Sequence, residues 1–156
     1  EVVKNSAPEL TTHIDDISVD EDTTLDLDLS KHFSDSDLGD TLTYTATLPD
    51  GSPIPDWITF DSETGQLTGT PLNENVGDIP IKVTASDGED TISDTFEITV
   101  DNTNDAPSVS VTIQDQTGND GERYSLDVSN HFVDHDLDDS LIYTATLEDG
   151  SRRLSH

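Results

Sequence analysis

A chain that repeats itself must fold as one unit used more than once, and this chain repeats at an offset of 99 residues. Leu29–Ser52 overlays Val128–Ser151 with 16 of 24 positions identical, among them Asp35/Asp134, Asp37/Asp136, Tyr44/Tyr143 and Gly51/Gly150. Ala7-Pro8 and Ala106-Pro107 obey the same offset. Self-similarity at a fixed period is the signature of modules in tandem. Residues 1–7 read as the end of a preceding linker, 8–100 as a complete unit, 101–107 as a linker, and 108–151 as the first half of a second unit. The match stops after Ser151. Where the first unit continues Pro53-Ile-Pro-Asp-Trp57, the second has Arg152-Arg-Leu-Ser-His156, a non-repeat tail.

Within the unit the apolar residues alternate, as in Leu25-Asp-Leu-Asp-Leu29 and Leu42-Thr-Tyr-Thr-Ala-Thr-Leu48. Period two is the mark of half-buried strands. This patterning outweighs a composition that leans towards disorder, with 30% hydrophobic residues and a formal charge of −29. Seven strands are expected at 10–18, 23–30, 41–48, 56–60, 66–69, 79–86 and 91–100, with turn residues between them. That spacing predicts an all-β, seven-stranded sandwich with almost no helix. Its core draws on Ile17, Leu25, Leu27, Phe33, Leu42, Tyr44, Trp57, Ile58, Phe60, Leu67, Val83, Phe96, Ile98 and Val100. Trp57, the only tryptophan, reads as a core anchor. The second unit keeps at most three of the seven strands. Half a sandwich leaves an apolar face open, so it is expected to be partly disordered or ordered by another chain or domain.

Thirty-five Asp and Glu against six Lys and Arg disfavour nucleic acid, whose binding needs cations to neutralise phosphates. The same balance disfavours anionic membrane surfaces. No run approaches the roughly 18 apolar residues of a membrane span. With no cysteine, disulfides and thiolate metal sites are excluded.

The acids are not scattered. The linker Asp101-Asn-Thr-Asn-Asp105 is rich in side-chain oxygens, which suits a hard cation wanting about six to eight oxygen ligands. Alternating strands carry the chain up and down the sandwich. The loops at Asp20-Glu-Asp22 and Asn73-Glu-Asn75 are therefore expected beside the exit linker, and those at Asp35–Asp40 and Asp87–Asp90 beside Asn5. In the second unit the matching loop carries Asp134, Asp136, Asp138 and Asp139. Glu74, Asp78, Asp115 and Asp120 read as solvated surface. His32 and His131 share a repeat position beside a Phe and read as structural, whereas His135 has Ser36 as its counterpart. No nucleophile–base arrangement or carboxylate pair in a pocket can be proposed, so enzymatic activity is not expected.

Three stretches carry a resemblance: Pro55–Pro71 (PDWITFDSETGQLTGTP), Phe33–Tyr44 (FSDSDLGDTLTY) and Ala85–Gly88 (ASDG). Through them the chain resembles the cadherin-like repeats of bacterial surface proteins, most closely the dystroglycan-type cadherin-like, or putative-Ig, family of adhesins and secreted polysaccharide-degrading systems. The resemblance implies a Greek-key cadherin/Ig-like sandwich with Ca²⁺ at the unit junctions. It implies Glu21 as the first-loop ligand and Asp101, Asn102, Asn104 and Asp105 as linker ligands. Asp134 and Asp136 would belong to the following unit, and Asp35, Asp37 and Asp87 would face the preceding junction. The implied role is a calcium-rigidified spacer or adhesion module, outside the cell or on its surface, with neighbouring repeats as partners. A calcium-dependent module recognising polysaccharide or a sister repeat is the alternative. It is weakened by the few aromatics, mostly at core positions.

Overall fold

The computed structural model describes residues 4–37, 39–136 and 139–148; the tail 152–156 lies outside them. The chain divides into two compact units, Glu1–Thr103 and Asn104–His156. The first contains β1 (Glu9–Leu10), β2 (Ile17–Asp20), β3 (Leu25–Asp28), β4 (Phe33–Ser34), β5 (Thr43–Thr47), β6 (Ile58–Phe60), β7 (Gln66–Gly69), β8 (Gly77–Ser86) and β9 (Thr91–Asp101). Strands in the order β2-β9-β8-β5 form one sheet and β3-β7-β6 the other, and β1 pairs with β4 apart from both. The two main sheets make a seven-stranded Greek-key sandwich. Every pairing is antiparallel except β2 with β9, which run parallel.

Alternation decides which side chains meet between the sheets. Phe96, Ile98 and Val100 on β9 point inward between exposed or half-exposed neighbours, and Ile81, Val83 and Ala85 do the same on β8. Leu25, Ile58 and Leu67 close the core from the opposite sheet. Ile14, Val19, Leu29, Ile81 and Ala85 are buried beyond the core expected from sequence. Ile17, Leu27, Leu42, Trp57 and Phe60 are only partly buried against it. Trp57 thus sits at the rim and not at the centre. It lies over Gly69, where an added Cβ would come within 2.4 Å of the Trp57 carbonyl. The turn between β6 and β7 is set by Asp61, whose Oδ1 accepts the N–H groups of Glu63 and Thr64 at 2.8 and 3.1 Å. Gly65 closes it at φ +72.

The expected first strand, 10–18, is two strands joined by an irregular crossing. The chain leaves β4 after Leu10 and joins β9 at Ile17. Two carboxylates supply bonds for backbone groups around this crossing: Asp94 Oδ2 accepts the Ile14 N–H at 2.8 Å, and Asp16 Oδ1 accepts the Glu97 N–H at 2.8 Å. Burial raises the Asp94 pKa, but the bonds from Ile14 and His13 outweigh it and hold the group below the usual carboxylate value. The ionised form is therefore favoured by folding. Its stabilisation is present above pH about 4 and is lost as pH falls through the lowered folded value. Asp94→Ala is expected to cost about 1.5–3 kcal/mol, because the half-buried carboxylate takes a charge-assisted bond from an amide that would be left bare. Urea unfolding followed by Trp57 fluorescence checks it.

The expected strand 23–30 stops at Asp28, whose Oδ1 takes the N–H and Oγ of Ser30 and caps a 3₁₀ turn over Leu29–His32. Asp127 Oδ1 accepts the Ser129 N–H and Oγ–H in the same way in the second unit, where the 3₁₀ turn begins one residue later, at Ser129. There, β10 (Ser108–Val109) pairs with β11 (Phe132–Val133), the counterparts of β1 and β4. Among the described residues the counterparts of β3 and β5 form no strand. In the first unit β3 pairs with β7 and β5 with β8.

Candidate functional site

The turn between β2 and β3 holds a carboxylate in an unusual place. Asp22 adopts φ +58, a left-handed conformation that Asp tolerates, and Thr23 N–H bonds Asp20 C=O at 3.2 Å. Glu21, at the turn, is tied down by both neighbouring segments. Its N–H donates to Asp101 C=O at 3.0 Å, and the following N–H, of Asp22, donates to Pro71 C=O at 2.8 Å. Its side chain turns inward and is 3% exposed. Oε1 accepts the Thr103 N–H at 2.7 Å. Oε2 is buried with no hydrogen-bond partner. Neither ion pair among the described residues, His13–Asp94 or Lys31–Asp28, involves it. A buried carboxylate with an unsatisfied oxygen is expensive unless a cation completes it. Asp101 pairs with Asp20 at the end of the β2–β9 ladder, so it stands next to Glu21 on the neighbouring strand. Asn102 is exposed.

At the opposite end of the same unit a second set gathers around the entering chain. Ser6 N–H donates to Asp37 Oδ2 at 2.6 Å, and Asn5 Nδ2 donates to Asp87 Oδ2 at 3.0 Å. Asp37 N–H donates to Asp35 Oδ1 at 2.8 Å, while Asp35 Oδ2 is buried without a hydrogen-bond partner. Ligand oxygens of Asp35, Asp37 and Asp40 lie within 4.8 Å of one another. The pKa of Asp87 is lowered by bonds from Asp90 N–H, Asn5 and Glu89 N–H, so it stays ionised to more acidic pH than a free aspartate.

The second unit builds this end again from its own residues. Asp105 N–H donates to Asp136 Oδ2 at 2.7 Å, and Asp136 N–H to Asp134 Oδ1 at 3.1 Å. Asp134, Asp136 and Asp139 bring ligand oxygens within 4.8 Å, and Asp136 is 8% exposed. Asn104 donates to Asp105 C=O at 2.8 Å. The bonds among Asp105, Asp136 and Asp134 and the Asp134–Asp136–Asp139 triplet are the first unit's moved by 99 positions, which makes them a property of the repeat and not of chance crowding; the Asn104 bond differs from that of its counterpart Asn5. Asp40 and Asp139 were missing from the ligand set read from sequence, although the spacing Asp-x-Asp-x-x-Asp was visible. Asp87 belongs to neither triplet. The repeated histidines are structural: His32 Nδ1 meets Thr12 C=O at 3.1 Å and His131 Nδ1 meets Val111 C=O at 2.8 Å.

A dense set of carboxylates, amides and carbonyls, with no Cys available, matches hard oxygen-seeking cations, and the orphaned Glu21 Oε2 fits such an ion as its missing partner. Among the described residues no helix is long and apolar enough to cross a membrane.

The two sheets and their order place the first unit among immunoglobulin-like sandwiches. The chain belongs to the family described as "Putative Ig domain", whose model matches residues 7–101. An endo-fucoidan hydrolase from glycoside hydrolase family 107 is similar over 66% of this chain and 15% of its own, at 26% identity and a TM-score of 0.50. Human protocadherin-24 EC1-2 is similar over 63% of this chain and 44% of its own, at 20% identity and a TM-score of 0.45. Titin domains z1z2, in complex with telethonin, follow at 19% identity and 0.46 over 69% and 54%. This chain thus spans a small part of the hydrolase and about half of the other two. No curated protein matches it.

Proposed function

We propose that this chain is a calcium-binding Ig-like repeat, a spacer or adhesion module of a large bacterial surface or secreted protein whose partners are neighbouring repeats. The reading rests on one observation above all: Glu21 is 3% exposed and its Oε2 has no hydrogen-bond partner. In this reading Glu21 and Asp101 hold calcium at the exit end of the first unit. Asp105, Asp134 and Asp136 do so in the second, with Asn102 and Asn104 completing the linker's oxygen set. Asp35, Asp37 and Asp87 serve the preceding junction. The cation neutralises acids that would otherwise repel along a chain of net charge −29, and it stiffens residues 101–105. Extracellular modules of this kind bind at about 10⁻⁴–10⁻³ M. In this reading the module carries no catalysis of its own.

Likeness to part of a fucoidan-acting hydrolase supports a second reading, an accessory module in a polysaccharide-degrading protein. Direct sugar recognition by the first unit is the weaker form of it, because the exposed aromatics, Tyr124 and Tyr143, belong to the second. Thermal melts in EDTA and in millimolar calcium test the main proposal. Calcium is expected to raise Tm, and Asp101→Ala combined with Asp105→Ala is expected to remove the rise. Identical melts in both buffers would refute it.

A further inference from the structure

In the first unit the strand that follows the entering crossing and the strand that leaves lie side by side and run parallel, from Ile17↔Ile98 to Asp20↔Asp101. Tension along the chain pulls β2 back towards Ile17 and β9 forward towards Asp101. The strands are then drawn past each other and the bonds between them are loaded together. Drawn apart from one end, the same bonds would break one at a time. The contact is longer than the ladder itself. Beyond Asp20, the Glu21 N–H donates to Asp101 C=O at 3.0 Å. Before Ile17 the chain is irregular, yet carboxylates continue the bonding there. Asp16 Oδ1 takes the Glu97 N–H and Asp94 Oδ2 takes the Ile14 N–H, each at 2.8 Å. The entering segment is thus tied to β9 from Asp94 to Asp101.

We propose that the first unit is a load-bearing element, in which β2, β9 and the carboxylates of Asp16 and Asp94 form one clasp that resists shear along the chain. The two carboxylates suit that role in different ways. Asp16 and Glu97 are both exposed, so water could serve the Glu97 amide; a fixed carboxylate adds a bond that opposes sliding. The Asp94 side chain is 11% exposed, which keeps water from replacing its bond to Ile14. Bonds from N–H to an ionised carboxylate are also stronger than neutral ones. Forced unfolding follows the unfolding rate, so the bonds that must break together set the force. The inference deepens the spacer reading and rests on it for its use, since a spacer carries whatever tension acts between its two ends.

Single-molecule pulling on the full chain in EDTA tests this, and its failure would leave calcium binding untouched. The chain has no cysteine, so introduced cysteines are clean handles. Lys4→Cys with Thr103→Cys loads the clasp in shear. Thr23→Cys with Thr103→Cys peels β2 from β9, starting at Asp20↔Asp101. At one pulling speed the shear direction is expected to need at least about twice the force of the peeling direction. Asp16→Ala and Asp94→Ala should each lower the shear force and leave the peeling force unchanged. The parent's two directions and Asp16→Ala, at an exposed residue, keep the test decisive should Asp94→Ala fail to fold. Equal forces in the two directions would overturn the proposal. So would variants that lower both forces alike, as a general loss of stability does, or that lower neither.

Discussion

Phe96→Ala should lower the unfolding free energy of the first unit by about 3–5 kcal/mol, a large part of the roughly 5–15 kcal/mol that holds an ordinary domain together. The ring is 2% exposed on β9, opposite Ile81 of the neighbouring strand, in the layer where both sheets meet. Its loss removes apolar contact and leaves a cavity that close-packed neighbours on several strands cannot all collapse into. Urea unfolding followed by Trp57 fluorescence reads the effect cleanly, since the only tryptophan lies in that unit. The midpoint should fall while the slope stays the same, as for a change in stability without a change in denatured-state compactness. Ile142→Ala, at a residue 92% exposed, should move the same curve by less than about 0.5 kcal/mol.

Glu21→Gln should have opposite consequences with and without calcium. In EDTA the amide oxygen can still accept the Thr103 N–H, and the substitution removes a buried charge that has an unsatisfied oxygen. The variant's stability should therefore stay within about 1 kcal/mol of the parent, with any gain on its side. With calcium at a hundredfold excess over its dissociation constant, the parent gains about 2.7 kcal/mol by mass action and the variant does not. For a unit of this size that is a difference of roughly 10–20 °C in Tm. A merely structural glutamate would give the same deficit in both buffers.

Much of the fold could be read because alternation and turn residues agreed. Leu25-Asp-Leu-Asp and the Asp61–Gly65 turn each specify local structure that the sandwich then uses. What escaped was tertiary. Nothing local divides 10–18 into two strands; the division follows from the crossing between sheets, held by Asp94 and Asp16 from 80 or so residues away in sequence. The short β4 was missed because two residues carry no periodicity. At the candidate site the residue types and loop placement were legible, as in Glu21 beside Asp101 and Asn5 beside Asp87. Burial was not. Only the packed structure distinguishes Glu21, closed off with a bare oxygen, from Asp20 and Asp22 on either side of it, both exposed.

Calorimetric titration of calcium into the full chain, beside Glu21→Gln, tests the central claim most directly. The account predicts saturable heat with a dissociation constant near 10⁻⁴–10⁻³ M for the parent and its loss in the variant. Heat that is absent from both, or equal in both, would contradict it and leave the acids as solvated surface charge.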